Sequence, residues 1–515
     1  MQDSLIQSYL GKKSAAEIAP GFLAYLANLE TVRGVSPEVA RSIVQELADQ
    51  RRNIKLIASE NYSSLATQCA MANLLTDKYA EGIPHHRFYA GCDNVDSVED
   101  LASVRARELF GAAHAYAQPH SGADANLVAF WAILRARVEL PAMVKLLGAA
   151  GPDALAPGDW TKLTTAQWNE VRQRLGNQRL LGMDLASGGH LTHGYRLNSS
   201  GKMFEPHGYT VDRETFLLDY DAIERQAMEV KPLILLAGFS AYPRNINYRR
   251  MREIADKVGA VLMVDMAHFA GLVAGKVLQG EENPVAYADV VTTTTHKTLR
   301  GPRGGLVLCT EEFKEHVDRG CPLVLGGPLP HVMAAKAVSF TEALRPEFAA
   351  YSRKIVENSR ALAEAFVQNG LKVITGGTDN HLVLVDVASA LGITGRQAED
   401  AVRRCGITLN RNPIPFDPNG PWYTSGLRFG TPAVTTLGMG PAEMKEIAAV
   451  VGEVLRNIVP ATTKSGGKDK AKFKLDEAVR GKAHARVQEL LASFPVYPEI
   501  DLPFLLERFA VGLRT

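Results

Sequence analysis

The chain is poor in cysteine: five in 515 residues (Cys69, Cys92, Cys309, Cys321 and Cys405), scattered and never in a Cys-x-x-Cys pair. An odd, dispersed set argues against a disulfide framework or a thiolate zinc site, and it suits a reducing cytoplasm. Charge of one sign is missing as well. The 57 Lys and Arg are balanced by 56 Asp and Glu, for a formal net charge of +1, so there is no electrostatic reason to expect nucleic acid or an anionic membrane as partner. No apolar run reaches membrane-spanning length, and Met1 to Leu10 lacks the basic-then-apolar layout of a secretory signal. What remains is globular in character, with 46% hydrophobic and 22% charged residues. Length alone suggests roughly three domains' worth of chain.

The most informative stretch runs from Val290 through Thr292, Thr293, Thr294, Thr295, His296 and Lys297 to Leu299, followed at once by Arg300-Gly301-Pro302-Arg303-Gly304-Gly305. Its first half is β-branched and reads as a buried strand, and its second half breaks into Gly and Pro and turns. A lysine at the end of a buried strand is desolvated, which disfavours the ammonium and frees an amine to attack a carbonyl, as in a Schiff base with pyridoxal phosphate. A lysine snorkelling out of a strand end would have the same sequence, so Lys297 needs company. It has some: the run Ala260 to Val264 ends in Asp265, with His268 close behind. An acid at that position can keep the cofactor's pyridine nitrogen protonated, and His268 could lie against the ring or bond its phenolic oxygen. A cap or turn aspartate is the competing reading.

The rest of the chain supplies further candidates. Residues 1–50 read as a helical arm, with a helix start at Ser36-Pro37-Glu38 and an apolar face of Val39, Ile43, Val44 and Leu47. The stretch from Lys78 to Cys92, carrying Tyr79, Glu81, Phe88 and Tyr89 among glycines, reads as a functional loop. Gln118-Pro119-His120-Ser121-Gly122-Ala123 feeds an apolar helix and offers free backbone N–H groups suited to a phosphate, although Ser-Gly before a helix is also an ordinary cap. Residues 136–180 look like an insertion with a helix from Thr165 to Leu175, and the glycine-rich turn at 182–194 carries His190, which could stack on a cofactor ring. A strand at 232–239 closes in Ser240-Ala241-Tyr242-Pro243, and a helix at 249–258 precedes the Asp265 strand. Alternating strands and helices predict a parallel α/β sheet with ligands at the carboxyl ends of its strands, where Ser240, Asp265 and Lys297 fall. A long helix at 347–368 leads to a smaller C-terminal part, with a strand at 382–387, a helix at 396–404, and Arg428 between glycines on a short strand. Arginine there suits a bidentate grip on a carboxylate; a surface ion pair is the alternative. The lysine-rich run 464–474 reads as a flexible linker.

The segments KYAEG (78–82), QPHSG (118–122), SGGHLTHG (187–194), GFSAYP (238–243), VDMAH (264–268), TTTTHKTLRGPRGG (292–305), GGTDNHL (376–382) and TSGLRFGTP (424–432) together resemble serine hydroxymethyltransferase, in that family's order, from about residue 50 to 455. The insertion is similar to that of chlamydial-type members. The resemblance implies an α/β enzyme of pyridoxal-phosphate fold type I (aspartate aminotransferase-like), with a helical arm (1–50), a large cofactor-binding domain on a parallel or mixed sheet (51–345), and a smaller α+β C-terminal domain (346–515). It implies at least a homodimer with shared active sites, a tetramer being left open. By the same resemblance Lys297 would hold pyridoxal phosphate covalently, Asp265 would hold the pyridinium nitrogen, and His190 would stack on the ring. Ser240 and His268 would reach the phenolic oxygen, and Ser121, Gly122, Ala123 and His296 the phosphate. Arg428 and Ser59 would receive the amino-acid carboxylate. Tyr79, Glu81 and Tyr89 would come from the neighbouring subunit, with Glu81 as acid–base; Thr294 joins the catalytic set. Leu185, Gly189, Leu191 and Asn412 would contact tetrahydrofolate. The implied reaction converts L-serine and tetrahydrofolate to glycine and 5,10-methylenetetrahydrofolate, with threonine aldol cleavage and alanine racemisation as side reactions. Phe88 stands where the family often has tyrosine, Ala123 where a serine is common, and Pro322 to Pro328 is bulkier than the family's glycine-rich loop, which predicts a weaker hold on the cofactor. Another pyridoxal-phosphate enzyme (an aminotransferase or decarboxylase), or a non-catalytic RNA-binding relative, are the alternative readings.

Overall fold

The computed structural model describes residues 4–509. The first three residues of the expected arm and the last six of the C-terminal part lie outside it. The arm is helical: α1 (Leu5–Leu10), α2 (Pro20–Val35) and α3 (Pro37–Gln50). Ser36 caps α3 through its side chain, and Pro37 occupies the first helical position, where no N–H is needed. The buried face of α3 overlaps the expected one at Val44 and Leu47 but is shifted toward two alanines. It consists of Ala40, Val44, Leu47 and Ala48, while Val39 is exposed. The helix is gripped on two sides, by Phe22, Leu26 and Leu29 of α2 and by Leu505 and Phe509 near the C-terminus, and that grip selects the small residues Ala40 and Ala48 for the close contacts.

The central sheet has seven strands: β1 (His114–Tyr116), β2 (Arg179–Met183), β3 (Glu205–Tyr209), β4 (Ile234–Gly238), β5 (Val261–Asp265), β6 (Val290–Thr294) and β7 (Gly305–Cys309). They lie in the order β1-β7-β6-β5-β4-β2-β3. All neighbours from β6 to β3 pair in parallel, whereas β7 runs antiparallel to both β6 and β1. The sheet is therefore mixed, with one reversed strand. Its inner strands β4, β5 and β6 are buried along their whole length, as β-branched and aliphatic runs covered on both faces must be. Alternation then divides them between two cores. Leu235, Leu262, Val264 and Val291 face one, and Ile234, Leu236, Val261, Met263 and Val290 the other.

Helices α4 (Asp93–Phe110), α5 (Gly122–Leu134), α6 (Pro330–Ala343) and α7 (Pro346–Gln368) frame this sheet. After α5 the chain passes through one π-helical turn (Arg135–Glu139) into a helix at Leu140–Leu147, and the helix expected from Thr165 runs to Gly176. Beyond α7 a second, wholly antiparallel sheet contains β8 (Lys372–Val373), β9 (Leu382–Asp386), β10 (Asn410–Asn412) and β11 (Gly426–Gly430), in the order β8-β9-β11-β10. The lysine-rich run expected to be a flexible linker is instead a hairpin of β12 (Ile458–Thr462) and β13 (Lys468–Leu475). In β13 exposed Lys468, Lys470, Lys472 and Lys474 alternate with half-buried Asp469, Ala471, Phe473 and Leu475. The period-two pattern outweighs the charge, which only needs to face water.

Candidate active site

Asp265 ends β5 at the carboxyl edge of the large sheet, and its carboxylate is buried and fully engaged. Oδ1 accepts from the backbone of Ala267 at 2.9 Å; Oδ2 accepts from Asn126 Nδ2 at 2.9 Å and pairs with His193 Nε2 at 3.2 Å. Burial pushes the carboxyl group's pKa up, but the His193 bond, the two nearby histidines and Asn126 overcome it and hold the group well below the usual carboxylate range. Asn126, on α5, is itself fixed by Thr192 at 2.8 Å and by the Thr292 hydroxyl at 2.5 Å. Neither Asn126 nor His193 was singled out from sequence. The available signal was the second histidine of the 187–194 turn, three residues after His190.

His190 lies half-buried beside this acid, its Nδ1 2.8 Å from the Thr192 hydroxyl, and burial pulls its pKa to about 4, so the ring is neutral. His268 is buried and pairs through Nδ1 with Nε2 of His381 at 3.2 Å, the two rings stacked. His381, in the GGTDNHL segment, also escaped the sequence reading.

Lys297 stands three residues beyond β6. Asn61 donates to its carbonyl at 2.9 Å, and among the described residues its ammonium makes no hydrogen bond. Burial draws its pKa down to about 8; Asp265 opposes the shift, while Arg428 and Arg303 add to it. At pH 8 about half the amine would be free base, against roughly one part in 250 for an ordinary lysine. Arg428 sits in the middle of β11, donating through Nε to Asn410 at 3.0 Å and through Nη1 to the Ser240 carbonyl at 2.6 Å. It has no carboxylate partner among the described residues, and burial lowers it to about 10. The alternative of a surface ion pair is thereby excluded. A half-buried guanidinium without an acid leaves a place for an incoming anion. Ser59 follows Ala58, whose backbone presses on Gly430 at the end of β11, so it arrives at the same edge as Arg428.

The turn before α5 presents free backbone amides at the helix start, a geometry suited to an anion. The Ser121 hydroxyl takes the N–H of Asp124, leaving the amides of Gly122 and Ala123 without an acceptor among the described residues. A Cβ at Gly122 would lie 2.7 Å from Cγ2 of Thr294, so the turn is pressed against the end of β6. His296 Nδ1 and His120 Nε2 are buried without hydrogen-bond partners among the described residues. These orphaned groups and the unpaired Arg428 fit a ligand that bears both a phosphate and a carboxylate-bearing adduct, as pyridoxal phosphate with an amino acid does. Thr294 gives its hydroxyl to the Ala267 carbonyl at 3.1 Å, a structural use.

Tyr79, Glu81 and Tyr89 form a separate group. Tyr79 Oη lies 3.3 Å from Glu81, and the Tyr79 and Tyr89 rings meet edge to face at 5.1 Å. Both tyrosines and Phe88 are exposed, and no hydrogen bond among the described residues joins the group to Asp265, Lys297 or Arg428. Arg87, clamped to Asp96 and Glu99, fixes the turn that carries them. The 322–328 loop lies alongside, with Gly327 against the Tyr79 ring and Leu323 exposed. Leu185 and Leu191 are exposed, Gly189 is buried against the Met183 carbonyl, and Asn412 donates to the Pro413 carbonyl at 2.7 Å.

Comparison with known proteins bears on this geometry. The family model described as serine hydroxymethyltransferase matches residues 32–150 and 171–451. The chain belongs to the serine hydroxymethyltransferase family. A serine hydroxymethyltransferase of Treponema pallidum (strain Nichols) is 60% identical over 509 residues, 99% of this chain and 87% of the relative. One of Salinispora tropica is 57% identical over 479 residues, covering 93% of this chain and 98% of the relative. One of Chlamydia trachomatis serovar D is 50% identical over 507 residues, 98% of this chain and all of the relative. The chain is thus a transferase of this family, a pyridoxal-phosphate enzyme of fold type I, and its one-carbon chemistry is that of serine hydroxymethyltransferases. The stretch that the family model passes over, 151–170, lies inside the expected insertion.

Proposed function

We propose that the chain catalyses the reversible transfer of the hydroxymethyl group of L-serine to tetrahydrofolate, with Lys297, Asp265 and Arg428 as the working centre. The observation that carries this is geometric: among the described residues, a lysine amine without a hydrogen-bond partner and a half-buried guanidinium without a carboxylate partner share one sheet edge with a carboxylate held by Asn126, His193 and the Ala267 backbone. When bound, pyridoxal phosphate accepts the electron pair left on the amino acid's α-carbon. The protein does the rest. Lys297 supplies the amine that holds the cofactor, and Asp265 keeps a proton on its ring nitrogen. His190, neutral, covers the ring, and Ser240 and His268 reach its phenolic oxygen. Ser121, Gly122, Ala123 and His296 receive the phosphate. Arg428 and Ser59 orient the serine carboxylate. Thr294 acts through Ala267 as a positioning residue. Leu185, Gly189, Leu191 and Asn412 bound the folate.

Tyr79, Glu81 and Tyr89 serve the site of a second copy of this chain, so the working form is at least a dimer; the exposure of both tyrosines, and the lack of any hydrogen bond among the described residues from this group to Lys297, support that reading. Residues 51–345 would be the cofactor-holding body and 346–515 the smaller one. Four of the five thiols are buried and none is paired, which supports a cytoplasmic setting, and no helix among the described residues is long and apolar enough to cross a membrane. The test is product identity. Purified protein given serine and tetrahydrofolate should yield glycine and methylenetetrahydrofolate in equal amounts; a keto acid or carbon dioxide instead would make it an aminotransferase or decarboxylase.

Glu81→Gln keeps shape but cannot exchange a proton, so folate-dependent serine cleavage should drop about 10²–10⁴-fold while cofactor binding stays intact. Folate-independent threonine cleavage should fall far less; equal losses would reassign Glu81 to supporting its loop. Arg428→Lys retains charge but loses the planar fork, and the KM for serine should rise roughly 10- to 100-fold. An unchanged KM would make Arg428 structural.

A further inference from the structure

Helix α6 buries one lysine completely. Lys336 is 1% exposed, and its ammonium donates to three carbonyls: Ala117 at 2.6 Å, Gly305 at 2.8 Å and Pro119 at 2.9 Å. Three acceptors engage all three protons of an ammonium, whereas a neutral amine has only two N–H bonds. Among the described residues no carboxylate bonds to it. Burial presses its pKa down to about 7, and Glu99 on α4 and Asp124 on α5 oppose that through space. A lysine that only packed a helix face would be more costly than methionine or leucine in the same space.

The three carbonyls are not scattered. Ala117 and Pro119 lead from β1 into the Ser121 turn, and Gly305 closes the loop that carries His296 and Lys297. The two segments also bond directly, Gly305 N–H to the Pro119 carbonyl at 2.9 Å. Glycines make the approach possible. A Cβ at Gly305 would lie 2.2 Å from the Ser121 carbonyl, and one at Gly304 would lie 2.5 Å from Cε of Lys336. The Lys336 charge is also near enough to His296 to help keep that ring neutral.

We propose that Lys336 is a positioning residue for the cofactor phosphate: it ties together the two backbone segments that form the anion cradle and sets an unneutralised positive charge behind it. The proposal rests on the reading that residues 121–123 and His296 receive the phosphate. An anion in the cradle faces the free amides of α5 in front and a fixed cation behind. Losing the cation costs both geometry and field.

The experiment uses cofactor-free protein and two probes, pyridoxal phosphate and inorganic phosphate. In Lys336→Met, which is folded if its circular dichroism matches the unaltered chain, the Kd for pyridoxal phosphate should rise roughly 10- to 100-fold, the loss expected for charge-assisted hydrogen bonds. The rise in Tm given by inorganic phosphate should disappear. At saturating cofactor, kcat should fall less than affinity does. If that variant does not fold, Gly304→Ala takes its place, because its new methyl meets the flexible end of Lys336 and displaces the ammonium without removing it. Unchanged Kd and unchanged phosphate protection in a folded variant overturn the proposal. Ser121→Ala, run alongside, reads the cradle itself: if it binds both probes as the unaltered chain does, the cradle is misplaced and the role of Lys336 falls with it.

Discussion

Lys297→Ala is expected to abolish turnover, lowering it by about 10⁴-fold or more, because the substitution removes the amine at the strand edge that is proposed to hold and release the cofactor. Borohydride reduction followed by peptide mapping should place the cofactor on residue 297 of the unaltered chain and nowhere in the variant. Normal multiple turnover by the variant would sink the assignment. The same substitution has a stability signature in the cofactor-free protein. An unfolded lysine titrates near 10.4, whereas burial holds folded Lys297 at about 8. Between those values the unfolded chain binds the additional proton, so native stability rises with pH through the window. Below about 8 the buried ammonium is a full cost, and above about 10.4 that cost is gone. The alanine variant has no amine to bury. It should melt above the unaltered apoprotein at neutral pH and lose that margin as the pH climbs toward about 10. A margin independent of pH would mean that Lys297 is solvated.

Asp265→Asn should be nearly as damaging, lowering activity by about 10²–10⁴-fold while leaving the cofactor bound. The amide can still accept from Ala267, but it carries no charge to oppose deprotonation of a ring nitrogen, and its NH₂ would face the N–H groups of Asn126 and His193 that now point at Oδ2. The readout is exchange of the glycine α-proton with deuterium from solvent, which requires that the electron pair be drawn away from that carbon. Exchange at the unaltered rate would show that Asp265 is not the group opposite the ring nitrogen.

Much of this site was legible because its members end strands. The β-branched run to Thr294 and the aliphatic run to Asp265 announce themselves by composition, and glycine and proline mark where each stops. Arg428 was legible for a different reason, as a charge inside a short strand. The supporting residues were not. Asn126 reaches Asp265 across 139 residues of sequence and Lys336 reaches Ala117 across 219, and no local period fixes either meeting. His193 was visible but ranked below His190, since only the fold decides which of two loop histidines turns toward the acid. In β13 the error ran the other way: the density of lysine concealed an alternation that was present. On α3 the apolar positions were read correctly as a stripe, but which edge of it is buried depends on the neighbours, Phe22 and Leu505 among them.

The reversed strand β7 pairs with β6 over five positions, from Thr294 opposite Gly305 to Val290 opposite Cys309. Because side chains alternate, this pairing can slide only by two residues at a time without exchanging the two cores, a jump of about 6.6 Å. No smaller error is available. The amine of Lys297 is therefore delivered on a coarse ruler: a chain that folds puts it in place, and a chain that misregisters removes it altogether. Drift in the sequence of β6 and β7 cannot gradually detune the chemistry. At this point in the molecule, selection for folding and selection for catalysis act as one filter.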